Sequence, residues 1–506
     1  MPVTRLADGT APGVVSLPST TLREPGAILL VSCYELGRQP LSIANAAAIL
    51  SAAGFSPKAL DLARAPIATE AVRRARLIAV SVPMHTALRI GVAAAARFRA
   101  LNPDAFVCFF GLYAWLNAES LLAGAADAVI GGECDEPLLA LAQNMGGGNV
   151  PGVRTRRSAE RPWLERPRPL VPERRLLPPL DDYVRIEVDG ERIVAGQVES
   201  SRGCRHLCRH CPIPPVYGGR FFVVPVETVL EDARRQVEAG ARHLSFADPD
   251  FLNGPGHAMK VARALHAAHP GLTFDFTAKI EHLVKHRDRL AELRDLGCLF
   301  VISAVESIDD RVLRILDKGH TRRNVEEVVA AMRAAGLTLR PTFVPFTPWT
   351  GLEGQRALLE FLAAHDLLDA VDPVQMTIRL LVPPGSLLLE HEEMTPHLEG
   401  LDAARFTWTW RHPDPRVDAL QQESATIVEA AAKSGEPEEE TFRKLAFAAG
   451  ATLPAASGPP AGQAALDSGA PRERRPRAPR LTEPWFCCAE PMEGQLAALR
   501  FDDAGV

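Results

Sequence analysis

The sequence predicts an α/β protein: an N-terminal doubly wound sheet followed by a partial barrel of six β/α units. Three observations carry this. Apolar runs of strand length alternate with helix-length runs from residue 23 to 145, the pattern of a parallel sheet covered on both faces. The alternation restarts after a break rich in Arg and Pro and repeats between residues 184 and 390. One compact cysteine triplet, Cys204, Cys208 and Cys211, follows the first strand of the second series.

Residues 1–22 are polar, with scattered Gly and Pro, and are expected to be disordered. In the first domain, strands are expected at Ala27–Ser32, Lys58–Asp61, Leu77–Val82, Ala105–Phe110 and Asp127–Ile130. Helices are expected at Leu41–Ala53, stopped by Gly54, and at Ala87–Leu101, closed by Asn102-Pro103. Ligands of such sheets bind at the carboxyl ends of the strands. That places Ser32–Arg38, Ser81–His85, Gly111–Ala114 and Gly131–Asp135 on the candidate rim.

Residues 146–183 form an Arg/Pro-rich linker, in which proline density forbids long regular structure. Its basic residues could meet phosphates, but a solvated linker lying across an acidic protein is the favoured reading. Asp189-Gly190 between two alternating runs predicts a hairpin. Its second run, Ile193–Ser200, opens the barrel. Further barrel strands are expected at His243–Ala247, Thr273–Thr277, Leu299–Val305, Thr338–Val344 and Val374–Leu381. The intervening helices are Val226–Ala239, Ala258–His269, Glu281–Leu296, Arg322–Ala335 and Glu353–His365. Residues 391–450 read as a helical extension, 451–483 as a disordered tether and 484–506 as a short tail.

The net charge of −6 leaves no global footprint for nucleic acid, which is an unlikely partner. No apolar stretch reaches the length of a membrane span, and no signal-peptide pattern opens the chain, so a cytoplasmic protein is expected. Nine cysteines, three of them clustered, argue against a disulfide framework.

The triplet is spaced C-x3-C-x2-C, and Gly203 gives its loop freedom to turn tightly. Three thiolates are one short of a fully ligated iron–sulfur cluster and leave an iron open for a ligand. Structural zinc completed by His206 or His210 is the rival reading. Polar groups close the barrel strands: Asp248 and Asp250 after the second, Lys279 after the third, Glu306 and Ser307 after the fourth. They would share a mouth with the triplet and could accept bonds from ammonium and hydroxyl groups.

These features together resemble the radical S-adenosylmethionine (SAM) superfamily, in its class with an N-terminal B12-binding domain. The resemblance rests on the triplet, on Asp248-Pro249-Asp250-Phe251, on Ala304-Val305-Glu306-Ser307 and on Leu316-Asp317-Lys318-Gly319-His320-Thr321. Ser81–Thr86 and Gly131-Gly132-Glu133 are similar to the cobalamin-binding domain of that class. It implies a Rossmann-like cobalamin-binding-type domain and a (β/α)6 radical SAM barrel. It further implies a [4Fe-4S] cluster on Cys204, Cys208 and Cys211, with SAM on the open iron, cleaved to a 5′-deoxyadenosyl radical. By the same resemblance Asp248 or Asp250 holds the methionine end of SAM and Glu306 meets its ribose or carboxylate. Ser307 and Lys279 stand beside them, and His210, where the family has an aromatic, packs on adenine. Cobalamin is implied for the first domain. The D-x-H-x-x-G loop is missing, however, and Ser32-Cys33-Tyr34-Glu35-Leu36-Gly37 stands in its place. Ala304 and Pro249 are further departures.

The tail Cys487-Cys488-Ala489-Glu490-Pro491 resembles radical SAM proteins recognised by a terminal C-C-A-E-P or C-U-A-E-P. There Cys488 falls at the selenium position. The expected function is C–H functionalisation, including cobalamin-dependent methyl transfer, on a small-molecule or peptide substrate, with flavodoxin or ferredoxin as electron donor. The alternative is an enzyme without corrinoid whose Cys487 and Cys488 take part in sulfur, selenium or redox chemistry. A distant alternative is a zinc-stabilised nucleic-acid-binding protein.

Overall fold

A computed structural model describes residues 21–145, 148–453, 478–483 and 499–502. The expectations for residues 1–20 and for Cys487 and Cys488 lie outside the described residues. Order begins earlier than expected: Thr21–Arg23 is a 3-10 turn that buries Leu22 completely.

The first sheet contains β1 (Ile28–Ser32), β2 (Lys58–Asp61), β3 (Leu77–Ser81), β4 (Phe106–Phe110), β5 (Ala128–Ile130) and β6 (Val153–Thr155). Their order is β2-β1-β3-β4-β5-β6. Five strands are parallel and β6 runs antiparallel at the edge. Alternation splits each strand between two cores. Leu29, Val31, Ile78, Val80, Val107 and Phe109 enter one; Ile28, Leu30, Leu77, Ala79, Cys108 and Phe110 enter the other. This double burial is why the strands read as unbroken apolar runs. The strand order reverses at β1, so a crevice opens where the loops after β1 and β3 diverge.

The linker is not a solvated tether. It supplies β6, and the main chain of Trp163 pairs with Gly131 and Glu133 on the sheet rim. Arg174 forms an ion pair with Asp232 at 2.7 Å. Arg154 and Arg156 likewise reach Glu119 and the Leu122 carbonyl, while Arg157, Arg161, Arg166 and Arg168 stay exposed.

The second sheet adds β7 (Arg185–Val188) and β8 (Glu191–Val198), joined by the expected Asp189-Gly190 turn, both residues with positive φ. Next come β9 (Ser201–Gly203) and β10 (Phe221–Val223), a small antiparallel pair. Then follow β11 (His243–Phe246), β12 (Thr273–Thr277), β13 (Cys298–Glu306) and β14 (Thr338–Phe343). β8, β11, β12, β13 and β14 are parallel. The expected sixth strand, Val374–Leu381, is instead a 3-10 turn at Pro373–Thr377 and one bridge from Arg379 to Phe346. Pro373 fits the first turn of such a helix but cannot donate to a ladder. The expected helix Glu281–Leu296 is broken into Ile280–Lys285, Arg287–Arg289 and Leu290–Asp295.

The extension is not all helical. β15 (Leu398–Asp402) and β16 (Thr407–Trp410) form a hairpin before helices Pro415–Ser434 and Glu438–Ala449. The supposed tether ends in β17 (Arg480–Leu481), antiparallel to β7 at the sheet edge. Leu481 packs against Phe300 and Ile302 of β13, on the far side of the strand order. The sheet therefore curls, and β17 covers its open side. No described helix is long and apolar enough to cross a membrane.

Candidate active site

The thiol loop leaves the carboxyl end of β8. Asp248, 2% exposed, accepts the Ser200 amide at 2.8 Å, the Ser200 hydroxyl at 2.7 Å and the Ser201 hydroxyl at 2.6 Å. Both its oxygens hold the start of the loop. Burial raises its pKa to about 6. Gly203 follows with φ +76°, and a Cβ there would sit 2.5 Å from the Arg220 carbonyl oxygen. Arg209 fixes the far end, donating Nη1 to the carbonyls of Arg314 and Ile315. Cys204 and Cys208 are buried and Cys211 is partly buried. Burial raises the Cys204 pKa, so that thiol needs a metal centre beside it to ionise.

Among the described residues, one trio alone has ligand atoms all within 4.8 Å of one another: His206, Asp250 and His282. Neither histidine near the thiols is set as a fourth donor to them: His206 is turned to Lys279 and His282, and His210 to Glu306. Three thiols without a fourth donor match a cluster with one open iron better than a closed tetrahedral zinc site. The other described cysteines, Cys33, Cys108, Cys134 and Cys298, sit on other elements, so the donor set is three thiols in one loop.

The mouth is ringed by charge. Glu306 ends β13 with φ +68°, at a register shift against β14. Its Oε1 lies 3.0 Å from His210 Nε2 and 3.4 Å from Lys318 Nζ. Burial opposes its ionisation, but the Lys318 ammonium and the His210 bond outweigh that and hold it down at about 2. Lys318 also senses Cys208 and Cys211, so an ammonium stands ready to balance thiolate charge. The Ser307 hydroxyl accepts the Asp309 amide at 3.0 Å.

Asp250 Oδ1 accepts the Leu252 amide at 2.9 Å. Its Oδ2 lies 3.3 Å from the Lys279 amide and 2.8 Å from His282 Nδ1. Lys279 Nζ is 3.1 Å from His206 Nδ1, and His206 Nε2 is 3.3 Å from His282 Nε2. An ammonium on Nδ1 makes that nitrogen an acceptor, which leaves the Nε2 proton to point at His282. Lys279, His206 and His282 thus stand in a bonded line beside the thiol loop, while the Asp250 carboxylate lies close to the His282 ring without accepting a hydrogen bond from its Nδ1.

The rim of the first sheet meets this mouth. Arg202, two residues before Cys204, donates to Glu133 at 3.1 Å, to Asp135 at 2.8 Å and to Glu199. Tyr217 donates to Glu133 at 3.0 Å. His85 is wholly buried, its ring 5.9 Å from that of Tyr113.

Sequence reasoning named the triplet, Asp248, Asp250, Lys279, Glu306, Ser307 and His210 as candidates. The structure brings Glu306 to His210 and Asp250 to Lys279, and turns Asp248 onto Ser200 and Ser201. It missed Lys318, which lay inside a quoted motif without a role, and His282 and Arg202, whose partners are remote in sequence.

Residues 198–350 match the family model described as Radical SAM superfamily. An uncharacterized methyltransferase of Pyrococcus horikoshii is 27% identical over 235 residues, 45% of this chain and 49% of that protein. The ribosomal protein uS12 methylthiotransferase RimO of Geobacter sulfurreducens is 26% identical over 32% of this chain and 38% of its own length. The chain thus spans about half, or less, of these curated relatives. The radical SAM methyltransferase TsrM of Kitasatospora setae, solved with cobalamin and a [4Fe-4S] cluster, is structurally similar. Its TM-score is 0.55 at 19% identity, over 67% of this chain and 73% of that one. The cobalamin-dependent SAM radical enzyme OxsB, solved with aqua-cobalamin and SAM, gives a TM-score of 0.63 at 14% identity. That match covers 80% of this chain and 66% of OxsB. These two likenesses establish a shared fold.

Proposed function

We propose that this chain is a radical SAM enzyme of the cobalamin-dependent methyltransferase type. The observation that carries it is the fixed loop of three thiols at the barrel mouth, faced by Glu306, His210 and Lys318 and roofed by the rim of the first sheet. When bound, a [4Fe-4S] cluster supplies the electron that cleaves SAM, and a corrinoid supplies a methyl carrier.

Cys204, Cys208 and Cys211 hold the cluster, and Lys318 offsets their charge. Glu306, ionised at neutral pH, accepts from SAM hydroxyl or ammonium groups, with Ser307 at its side. His210 lies along the adenine. Asp250 and Lys279 border the methionine end, and Asp248 acts at one remove by holding Ser200 and Ser201. At the rim, the buried Ser32 hydroxyl at the end of β1 has no partner among the described residues and is free to meet a ligand. No histidine occupies the loop after β1, and His85 packs inside, so a corrinoid there would be held without an imidazole from either position. TsrM and OxsB, named for this chemistry, support that assignment. The electron donor is a flavodoxin or ferredoxin, and the substrate is a small molecule or peptide.

A second reading gives the C-C-A-E-P tail a part in the chemistry, through sulfur, selenium or redox steps of Cys487 and Cys488. One observation favours it. Glu483 accepts the Tyr34 hydroxyl at 2.6 Å on the sheet rim, and Leu499 is buried in a core of the first sheet. Both flanks of the tail are tied to the first domain, one at Tyr34 and the other at Ile67 and Thr69.

The test is turnover of SAM by anaerobically reconstituted protein with a reductant. Formation of 5′-deoxyadenosine or S-adenosylhomocysteine that is abolished in Cys208→Ala is expected. Stoichiometric zinc and intact SAM would overturn the assignment. Cys487→Ala/Cys488→Ala separates the readings: full activity removes the tail from the chemistry.

A further inference from the structure

The outward side of the thiol loop is basic, on a chain that is acidic as a whole. Lys and Arg number 56 against 62 Asp and Glu, a formal charge of −6. Yet Arg205, Leu207 and Arg209 are interleaved with the thiols. Arg205 and Leu207 are exposed, Leu207 at 49%, while Cys204 and Cys208 are buried.

Two other elements widen this face. The turn between Tyr217 and Phe221 comes up against the loop. A Cβ on Gly219 would sit 3.5 Å from the Arg205 carbonyl oxygen and 3.6 Å from Leu207 Cδ2. Arg220, next in the chain, is exposed. The Arg205 guanidinium lies over the Phe221 ring, 5.5 Å from its centroid. At the far end of the loop Arg209 donates to the Arg314 carbonyl at 3.0 Å, which sets the exposed Arg314 beside it.

None of these four arginines forms an ion pair with a described residue, whereas Arg174, Arg202 and Arg340 each hold a carboxylate. The exposed carboxylates nearest them along the chain, Glu165 and Asp317, are not paired with them either. Unpaired cations around an exposed leucine do nothing for the fold. An apolar centre ringed by charge of one sign is the anatomy of a protein interface whose partner carries the opposite sign. Phosphates of a nucleic acid would use the arginines but not Leu207.

Position says what the partner does. The mouth side of the loop is faced by Glu306, His210 and Lys318 and lies under the rim of the first sheet. The outward side is the one that a protein can approach, and Leu207 there adjoins Cys208.

We propose that Arg205, Arg209, Arg220 and Arg314, set around Leu207, form the docking surface for an acidic one-electron carrier protein. One electron leaves the reduced carrier and enters the oxidised cluster. The carrier is left one electron more oxidised, and no bond forms or breaks. The electron's destination rests on the radical SAM reading; the binding of an acidic carrier does not.

The experiment uses the full chain after anaerobic cluster reconstitution, with an acidic flavodoxin as the probe. Binding is read by calorimetric titration, and electron transfer by the stopped-flow absorbance of the flavin. Wild type is expected to bind flavodoxin at low salt and to lose most of that affinity at about 0.5 M salt. Arg205→Glu/Arg220→Glu/Arg314→Glu should bind at least about tenfold more weakly at low salt and oxidise reduced flavodoxin correspondingly more slowly. Arg209 is left in place because it also holds the Ile315 carbonyl. Leu207→Ser should weaken binding at low and high salt alike. Dithionite should give both variants the same final cluster signal as wild type, which keeps a lost surface distinct from a lost cluster. Equal flavodoxin binding by wild type and the triple variant, or binding indifferent to salt, would overturn the surface. Transfer RNA that displaces flavodoxin and is itself lost in the triple variant would assign the patch to nucleic acid and overturn the carrier. Dithionite that reduces no cluster in wild type would defeat the radical SAM reading, and the titration would still decide the surface.

Discussion

Glu306 combines left-handed backbone with a buried ion pair at one residue. A non-glycine residue at φ +68° costs about 1–3 kcal/mol, and that strain points its carboxylate at Lys318 and His210. Lys318 is 3% exposed and Glu306 7%. Removing the acid in Glu306→Ala leaves a buried ammonium unpaired, which costs about 3–5 kcal/mol; urea unfolding of the metal-free protein measures it. Glu35 gives a second test at this scale. Burial raises its pKa from 4.5 to about 7, against hydrogen bonds from Ser42 and the Leu41 amide. The folded state therefore holds the extra proton between those values. Its contribution to stability is full below pH 4.5 and is lost as pH rises through about 7. Glu35→Gln should match wild type near pH 5 and exceed it by ~1–3 kcal/mol at pH 8.5. A difference independent of pH would contradict this.

At the scale of elements, β9 couples the thiol loop to the first sheet. Arg202 lies among Glu133, Asp135 and Glu199 at 12% side-chain exposure. Arg202→Met strips the counter-charge from three carboxylates and should cost about 3–5 kcal/mol. Differential scanning calorimetry should show the single transition broaden or split as the two sheets uncouple; an unchanged transition would mean the link is idle. Elements such as β3 and β12 were legible because each strand's pattern is written in its own residues: Leu77–Ser81 is mostly apolar and wholly buried, and Thr273–Thr277 alternates polar with apolar residues in sequence. β6, β15, β16 and β17 were not, because their partners set them. Arg480–Leu481 has no strand signal until β7 and the lumen face of β13 are beside it. Val374–Leu381 was misread because its apolar pattern outweighed Pro373.

At the scale of the molecule, the carboxyl ends of both sheets face one another. The triplet and the polar strand ends were legible because their spacing is local. The pairings that decide their roles were not: Glu306 with Lys318 and Arg202 with Glu133. They depend on which loops the curl of the barrel and the docking of the first sheet bring together. β17 pairs with the barrel edge at β7, and the buried Leu499 returns to the core of the first sheet.

The most direct measurement is the electron paramagnetic resonance spectrum of the anaerobically reconstituted, reduced protein, with and without SAM. The account predicts a reduced cubane-cluster signal, lost in Cys204→Ala, that changes shape when SAM is added. A signal indifferent to SAM, or no cluster and one zinc per chain after competent reconstitution, would contradict it.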